Sequence, residues 1–420
     1  MSANTMTPNV LVIGAGMYVC GRGTPGLGTV LPTLAQAQAE GAIGEIAVAA
    51  TSSDSVRALR EQLARINERL GTRAQVRGYP ERGSDAQAYR AALKELPRPG
   101  CVIVAVPDHL HASVAAEAIE VGLHVLVVKP LAPTAAAAER LAALAQTRGV
   151  YGAVEFHKRW DEANLLLRQA ITDGRLGQIR HVSVEYGQRR QIQQAFEAWI
   201  THTNIFQYLG VHYVDLIYFL THAQPVRVLA VGEPRASRGE ALPRFEAIQA
   251  LIEWKARQGE GFTSSILTNW IEPARASAMS DQRIRVLGTR GRYDSDQKHR
   301  GAQLVTDDEG EDVNPYFSQV WRSATGQAVI EGYGPRSIRQ FLSDVRDLIQ
   351  GRIALDALRA TRPSFKEAIV SSAVIEAVNE SLARGSLWVP VDPNLVRRSE
   401  SAARPAERRR RPRAAAAAGR

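Results

Sequence analysis

The chain has few cysteines and no long apolar run. Only Cys20 and Cys101 occur among its 420 residues, which excludes a disulfide framework and a zinc site built from cysteines alone. No apolar run approaches the roughly 18 residues that a membrane-spanning helix needs. The first residues also lack the basic stretch and apolar core of a signal peptide. We therefore predict a cytoplasmic protein with reduced thiols that does not enter a membrane.

Aromatic residues are also scarce, at 6% of the chain. A chain rich in Leu, Val and Ala but poor in aromatics favours layers of helix and sheet over an aromatic-rich β-sandwich. Its length predicts two domains, at roughly 100–200 residues each. The net charge is +9, but residues 393–420 contain nine Arg and two Glu. This tail therefore carries most of the positive charge, and its low apolar content predicts disorder.

Short apolar runs alternate with helical stretches over the first 155 residues. The runs that we interpret as buried strands begin with VLVIG at Val10 and continue at residues 46–53, 101–107, 124–130 and 150–156. Strands that alternate with helices predict a parallel, doubly wound sheet with right-handed crossovers. We therefore assign residues 1–155 to one α/β domain.

The pattern changes after Lys158. Several stretches alternate apolar and polar residues, as in RHVSVEYG, VRVLAVG and TSSILTNWI, and AQLVTDD at residues 302–308 belongs to the same group. Such alternation predicts an open, mostly antiparallel sheet with one face in solvent. We assign residues 156–392 to a second α/β domain, whose last helix is expected to pack back on the first, and residues 393–420 to the disordered tail.

A glycine-rich loop follows the first strand, and it is typical of a dinucleotide site. Gly14 allows a tight turn, and Gly16 lets the backbone approach a pyrophosphate near a helix N-terminus, with Met17 next to it. The third glycine of the usual motif is replaced by Val19. Glycine continues to recur up to Gly28, so we expect a longer loop, in which Arg22 or Thr24 also contacts phosphate groups.

The end of the second strand indicates which dinucleotide binds. An acidic residue there would bind the adenosine ribose and repel a 2′-phosphate. The strand instead ends in Thr51, Ser52 and Ser53, with Arg57 close behind. Hydroxyls and a guanidinium favour NADP(H) over NAD(H). NAD(H) remains the alternative, because Asp54 lies one or two positions further on and could also bind the ribose.

Two motifs resemble those of the Gfo/Idh/MocA oxidoreductases, named after glucose–fructose oxidoreductase, inositol dehydrogenase and rhizopine catabolism. They are VPDHLHASVAAEAIEVGLHVLVVKPLAPT at residues 106–134 and GVHYVDLIYFL at residues 210–220, and GRLGQIRHVSVEYG resembles the domain junction. The resemblance implies an N-terminal Rossmann NAD(P)-binding domain and a C-terminal domain for substrate binding and oligomerisation. It also implies NAD(P)-linked oxidation or reduction of a sugar, cyclitol or similar polyol, in a homodimer or homotetramer.

Lys129 and His212 are the predicted catalytic residues. Lys129 ends an apolar strand, where partial desolvation would suit it to polarise an oxygen; by itself this would also describe an ordinary lysine. The resemblance implies that Lys129-Pro130 is the catalytic element, although Val128 replaces the family's Glu. The spacing of Tyr208, His212 and Asp215 places them on one helix face. The resemblance identifies His212 as the proton acceptor, with Tyr208 where many relatives have Asp, and with Asp215 orienting the helix or His212.

The resemblance also implies the surrounding contacts. Val106, Pro107, Asp108 and His111 are expected to line the cofactor cleft. The expected substrate contacts follow the last parallel strand or precede the His212 helix, and they are His157, Arg159, Trp199 and Asn204, with Lys158 between the first two. The polar stretches 272–282 and 294–301 and Tyr333 are expected to reach the substrate or a neighbouring subunit. No His or Asp spacing indicates a metal site.

Two other functions stay open. Some relatives retain the cofactor and use transient oxidation to cleave a glycoside, and a non-catalytic ligand sensor could be built on the same fold. The Arg-rich tail could contact nucleic acid, but without interleaved aromatic residues we do not expect this.

Overall fold

The structure is a computed structural model, and it describes residues 6–195, 199–234, 245–257, 259–308 and 310–392. The tail at 393–420, for which the sequence predicts disorder, lies outside the described residues.

The first sheet is parallel and has helices on both faces. Its strands are β1 (Asn9–Ile13), β2 (Ile46–Ala49), β3 (Val76–Tyr79), β4 (Gly100–Val104), β5 (His124–Val128) and β6 (Gly152–Glu155). The helices along this part of the chain are α1 (Met17–Cys20), α2 (Val30–Ala39), α3 (Ser53–Leu70), α4 (Tyr89–Glu95), α5 (His111–Glu120) and α6 (Ala135–Thr147). The strand order is β3-β2-β1-β4-β5-β6, and every adjacent pair is parallel. The predicted doubly wound sheet is confirmed.

The later part of the chain forms a second sheet and shorter hairpins. Its strands are β7 (Ile179–Arg189), β8 (Gln224–Pro234), β9 (Phe245–Lys255), β10 (Phe262–Glu272), β11 (Ser280–Gly288), β12 (Arg292–Asp296), β13 (Gln303–Val305), β14 (Gly310–Asp312), β15 (Gln319–Arg322), β16 (Ala328–Glu331) and β17 (Val389–Pro390). Seven strands pair in the order β12-β11-β7-β10-β9-β8-β17. Only β7 and β10 are parallel within this sheet, so the expectation of a mostly antiparallel sheet is confirmed.

Two local expectations were wrong. The glycine-rich stretch contains the short helix α1, because Met17–Cys20 form a turn whose Val19 and Cys20 side chains are buried. Residues 302–308 do not join the second sheet; β13 pairs only with β14, in a hairpin whose Leu304 and Val305 are exposed. The alternation there reflects a solvent-facing hairpin and not a core strand.

Helices of the later part pack on both sheets. They are α7 (Glu162–Thr172), α8 (Ile192–Ala195), α9 (Val211–Thr221), α10 (Tyr333–Ile349), α11 (Leu355–Thr361) and α12 (Phe365–Ala383). Phe341 and Val345 of α10 share a core with β1 and α2, and α12 contributes Val374 to the core of the second sheet and Phe365 to the core of the first. In the ranges described above, no helix is both long and apolar enough to span a bilayer.

Candidate functional site

Lys129 lies at the C-terminal end of β5, before a cis peptide bond to Pro130. Its Nζ atom donates a hydrogen bond to the backbone carbonyl of Tyr208 at 2.6 Å and lies 3.7 Å from the centroid of the Tyr208 ring. Burial lowers the pKa of Lys129 to about 7, while the Asp108 and Glu155 carboxylates oppose that fall. These two carboxylates act on Lys129 from neighbouring segments, since the residue that precedes it in β5 is the apolar Val128.

His212 is buried in α9, close to the cations of the site. Its ring centroid lies 4.7 Å from that of His157. Burial lowers the pKa of His212 well below its ordinary value, and Lys129, His157 and Lys158 lower it further. Its Nδ1 atom has no hydrogen-bond partner within the described chain. A neutral imidazole with a vacant ring nitrogen is chemically able to accept a proton.

Tyr208 lies in a π-helical turn at residues 206–210, immediately before α9. Because a π-helical turn is wider than an α-helical turn, Tyr208 does not have the position relative to His212 that we expected from a continuous α-helix. The Tyr208 carbonyl accepts a hydrogen bond from the Lys129 ammonium, and the Tyr208 ring lies 6.0 Å from the Trp270 ring. Tyr208 therefore lies beside Lys129, and its burial raises the pKa of its hydroxyl.

Asp215 holds its helix in place, which is the first of the two roles expected of it, and it does not contact His212. Its carboxylate accepts two hydrogen bonds from Arg159, at 2.6 and 2.9 Å. Arg159 also donates to Glu367 of α12 at 2.6 Å. The Arg159 side chain is 5% exposed and is directed at these two carboxylates, so the structure does not bring it together with Lys129 and His212. The three residues form a buried ionic link between α9, α12 and the segment after β6.

Lys158, the neighbour of Arg159, points into the site instead. Its Nζ atom donates to the side-chain carbonyl of Gln282 and, at 2.8 Å, to that of Gln297. It also lies 5.2 Å from the ring of Tyr186 and 4.8 Å from that of Tyr213. Burial lowers the pKa of Lys158 to about 7. The two glutamines belong to the polar stretches 272–282 and 294–301, which therefore reach this side chain.

His157 lies at the centre of a group of aromatic rings. Its Nδ1 atom is 3.0 Å from a carboxylate oxygen of Glu155. The rings of Phe317 and Tyr333 lie 5.4 and 5.6 Å from it, and that of Tyr18 lies 6.3 Å away. Phe317 and Tyr18 were missed by sequence reasoning, because no motif marks them. The segment that contains Phe317 leads to β15 and β16, and β16 packs against α2 and α3.

His111 ties together the loops around Lys129. Its two ring nitrogens lie 2.6 Å from the carbonyl of Pro130 and 2.9 Å from the carbonyl of Val106. Both nitrogens are therefore engaged by backbone carbonyls, and the expected position of His111 along the cofactor cleft stays a prediction. Asp108 is buried beside it; one carboxylate oxygen accepts hydrogen bonds from Thr203 and Gln207, and the other has no partner within the described chain. Val106 and Pro107 lie at the end of β4, on the same edge as Lys129.

The turn after β1 fits a dinucleotide. Gly14 has a φ of +123°, and a Cβ atom there would lie 2.1 Å from the carbonyl oxygen of Ala105. Gly16 is different, because a Cβ atom there would meet no atom within 4 Å. The backbone of Gly16 thus faces open space at the start of α1, where a phosphate can approach closely. Met17 is partly buried against the core of the second sheet, so it links the two layers beside this turn.

The hydroxyls at the end of β2 lie beside the start of α3, but Arg57 does not join them. Ser52 caps α3 by accepting a hydrogen bond from the Ser55 amide at 3.2 Å. Thr51 and Ser53 are tied through their backbone to the neighbouring loop, at Asp85 and Gly83. Arg57 turns away and pairs with Asp54 at 2.7 Å, with both side chains more than two-thirds exposed. The structure therefore gives Arg57 a solvent-facing partner and not a position over the strand end.

The side chain of Asn204 bonds to α12 and to the Gln207 backbone, and not to Lys129 or His212. It donates to Asn379 of α12 at 2.6 Å and accepts from the Gln207 amide at 2.9 Å. With Thr203 it lines a cavity of 330 Å³ that faces α12. Trp199 packs against the core of the second sheet. The structure thus does not bring these two predicted substrate residues together with the others. Within the described ranges no group of His, Cys, Asp and Glu could hold a metal ion.

Two family models match the chain. Residues 9–156 match the oxidoreductase family with an NAD-binding Rossmann fold, and residues 165–294 match the GFO/IDH/MocA C-terminal domain. The second match ends before the segment that contains Phe317.

Similar curated proteins match over short stretches. The chain is 34% identical over 116 residues to the uncharacterized oxidoreductase YhhX of Escherichia coli, which covers 28% of this chain and 33% of YhhX. It is also 34% identical over 116 residues to scyllo-inositol 2-dehydrogenase (NADP(+)) IolW of Bacillus subtilis, which covers 27% of this chain and 32% of IolW. The chain thus spans about a third of the length of these relatives.

Solved structures match over nearly the whole fold. Scyllo-inositol dehydrogenase from Lactobacillus casei, with bound NAD(H) and scyllo-inositol, has a TM-score of 0.61 at 14% identity, covering 92% of this chain and 99% of its own. GenD2 from gentamicin A biosynthesis, in complex with NAD, has a TM-score of 0.64 at 20% identity, covering 93% and 99%. At these identities the likeness shows a shared fold.

Proposed function

The chain belongs to the Gfo/Idh/MocA family of oxidoreductases, and on that basis we propose that it transfers a hydride between NAD(P) and a carbohydrate carbon. The substrate is a hydroxyl or ketone of a sugar, cyclitol or sugar derivative. The observation that carries the proposal is the grouping of Lys129, His212 and Lys158 near the carboxyl end of β5, together with the open backbone at Gly16. The names of IolW and of the L. casei enzyme support a cyclitol-like substrate.

The nicotinamide ring of the bound cofactor would accept or supply the hydride. Lys129 then holds the reacting oxygen, and its ammonium stabilises the negative charge that develops there. In the direction of oxidation, the neutral imidazole of His212 accepts the hydroxyl proton, because its lowered pKa keeps it unprotonated near neutral pH. Lys158 lies close enough to affect His212 and would bind another oxygen of the substrate. The rings of Phe317 and Tyr333 would exclude water from His157 and its surroundings.

NADP(H) is the proposed cofactor, with NAD(H) as the alternative. The end of β2 has hydroxyls at Thr51, Ser52 and Ser53 where NAD-binding folds have an acid. The name of IolW records NADP(+), whereas the solved structures hold NAD. The residue that decides between them is considered below.

We also propose a homodimer or homotetramer that forms through the outer face of the second sheet. Val231, Ile271 and Leu287 are exposed on that face, each next to a residue buried on the inner face. Exposed apolar side chains on an open sheet favour pairing with a second copy. Light scattering on the full chain measures the oligomeric state, and a charged residue at Val231 should shift it to the monomer.

The test is a panel of cyclitols and sugars, followed at the nicotinamide absorbance with each cofactor. Lys129→Met and His212→Asn should each lower kcat by about 10²–10⁴-fold, whereas Lys94→Met, at an exposed position on α4, should not. Unchanged rates in the first two variants would contradict the site. Sugar release without net cofactor reduction would indicate the glycoside-cleaving alternative, and ligand binding without turnover would indicate a sensor.

A further inference from the structure

The loop between α1 and α2 is longer than a usual dinucleotide turn, and it folds back on itself. Gly21 and Gly23 have φ values of +73° and +79°. A Cβ atom at Gly21 would lie 1.9 Å from the Gly26 carbonyl oxygen, and the Thr24 hydroxyl donates to the Gly21 carbonyl at 2.9 Å. These contacts give Arg22, between the two glycines, a defined position.

Arg22 reaches from this loop to the start of α3. Its Nη1 atom donates to the Ser55 hydroxyl at 3.0 Å, and the Ser52 hydroxyl donates to the same oxygen at 3.1 Å. Because Ser55 Oγ accepts both hydrogen bonds, its own proton remains available to a further acceptor. A guanidinium and two hydroxyls thus converge just beyond β2, where Rossmann folds hold the adenosine ribose.

The charge of Arg22 is not neutralised within the described chain. Arg57, the other cation near this strand end, is paired with Asp54 in solvent. Arg22 pairs with no carboxylate among the described residues, and it is exposed to solvent. The remaining donors of its guanidinium can form two parallel hydrogen bonds to a phosphate, the geometry that arginine favours.

We propose that Arg22, with Ser55, binds the 2′-phosphate of the adenosine ribose and thereby selects NADP(H). The inference rests on the proposed dinucleotide site and assigns to Arg22 the role that the sequence suggested for Arg57. The ligand chemistry is a phosphomonoester next to a ribose ring. Charge-assisted hydrogen bonds of this kind correspond to about 10- to 100-fold in affinity.

The experiment is calorimetric titration of the full chain with 2′,5′-ADP and with 5′-AMP, which differ by the 2′-phosphate. Wild-type protein should bind 2′,5′-ADP more tightly. Arg22→Met should weaken the binding of 2′,5′-ADP by about 10- to 100-fold and leave 5′-AMP unchanged. Arg22→Lys should recover part of the loss, and the matched control Arg57→Met should bind both nucleotides as the wild type does.

Each contrary result has a separate meaning. If wild-type protein binds both nucleotides equally, or if Arg57→Met causes the loss, the assignment of Arg22 is wrong while the dinucleotide site stands. If Arg22→Met weakens both nucleotides equally, Arg22 only holds the loop, and the assignment is again wrong. If wild-type protein binds neither nucleotide, the proposed function fails as well. Steady-state kinetics give a second measurement, in which Arg22→Met should lower the ratio of kcat/KM for NADP+ to that for NAD+.

Discussion

Replacing the buried Lys158 by methionine should change how stability depends on pH. Lys158 lies beneath Tyr186 and Tyr213, and among the described residues its Nζ atom donates to the neutral amides of Gln282 and Gln297. Burial of this ammonium lowers its pKa from 10.5 to about 7. A methionine of similar length keeps the packing and removes the charge.

The sign and size of the effect follow from proton linkage. Between about pH 7 and 10.5 the unfolded chain keeps this lysine protonated, whereas the folded chain has lost the proton. The free energy of unfolding therefore rises with pH in this window, by about 1.4 kcal/mol per pH unit. Because the folded state is still half protonated at pH 7, the wild type should gain about 2 kcal/mol from Lys158 between pH 7 and pH 9. Well below pH 7 the contribution is constant, because Lys158 is then protonated in both states.

Urea unfolding monitored by tryptophan fluorescence, at pH 7 and pH 9, measures this contribution. The stability of Lys158→Met relative to wild type should fall by about 2 kcal/mol between the two pH values, while turnover is lost at both. Lys94→Met, on the exposed face of α4, is the control and should follow the wild type. A Lys158→Met variant that keeps the wild-type pH dependence would show that this lysine is charged when folded, and would refute the reasoning.

Three further predictions concern other parts of the site. Asp215→Asn should lower the free energy of unfolding by about 3–5 kcal/mol, because it removes one of the two carboxylates that neutralise the buried Arg159. An unchanged urea midpoint with lost turnover would instead give Asp215 a role in catalysis. Gly14→Ala should weaken dinucleotide binding in a titration, because the added Cβ atom would lie 2.1 Å from a backbone oxygen. The control is Gly41→Ala, which is also at positive φ but in open space and should bind normally. The kcat/KM for ketone reduction should fall as pH rises through about 7, as Lys129 loses its proton; the same fall in Lys129→Arg would contradict this origin.

The architecture was largely predictable from local pattern. Parallel strands covered on both faces appear as continuous apolar runs, and the antiparallel strands appear as alternation. The hairpin of β13 and β14 was the exception, because alternation indicates a half-exposed strand and does not identify its partner. The division at residue 155 stays a prediction, since α10 and α12 of the later part also pack on the first sheet.

The site residues that directly follow a strand or form a turn could be predicted from the sequence. Gly14 follows β1 and Lys129 follows β5, so their positions come with the strands themselves. Lys158 and Arg159 show the limit. They are consecutive in a 3₁₀ turn, and their side chains point to different surroundings, one to the tyrosines of the site and the other to Asp215.

The sequence by itself determined the two sheets, the dinucleotide turn and the strand-end lysine, because periodicity and glycine positions act over a few residues. Only the tertiary structure decided which neighbouring charged groups face the site. Arg159 meets Asp215 and Glu367, and Arg22 meets Ser55, across tens to hundreds of intervening residues. Those pairings depend on how helices and loops pack against one another. The spacing of residues along the chain does not specify that packing.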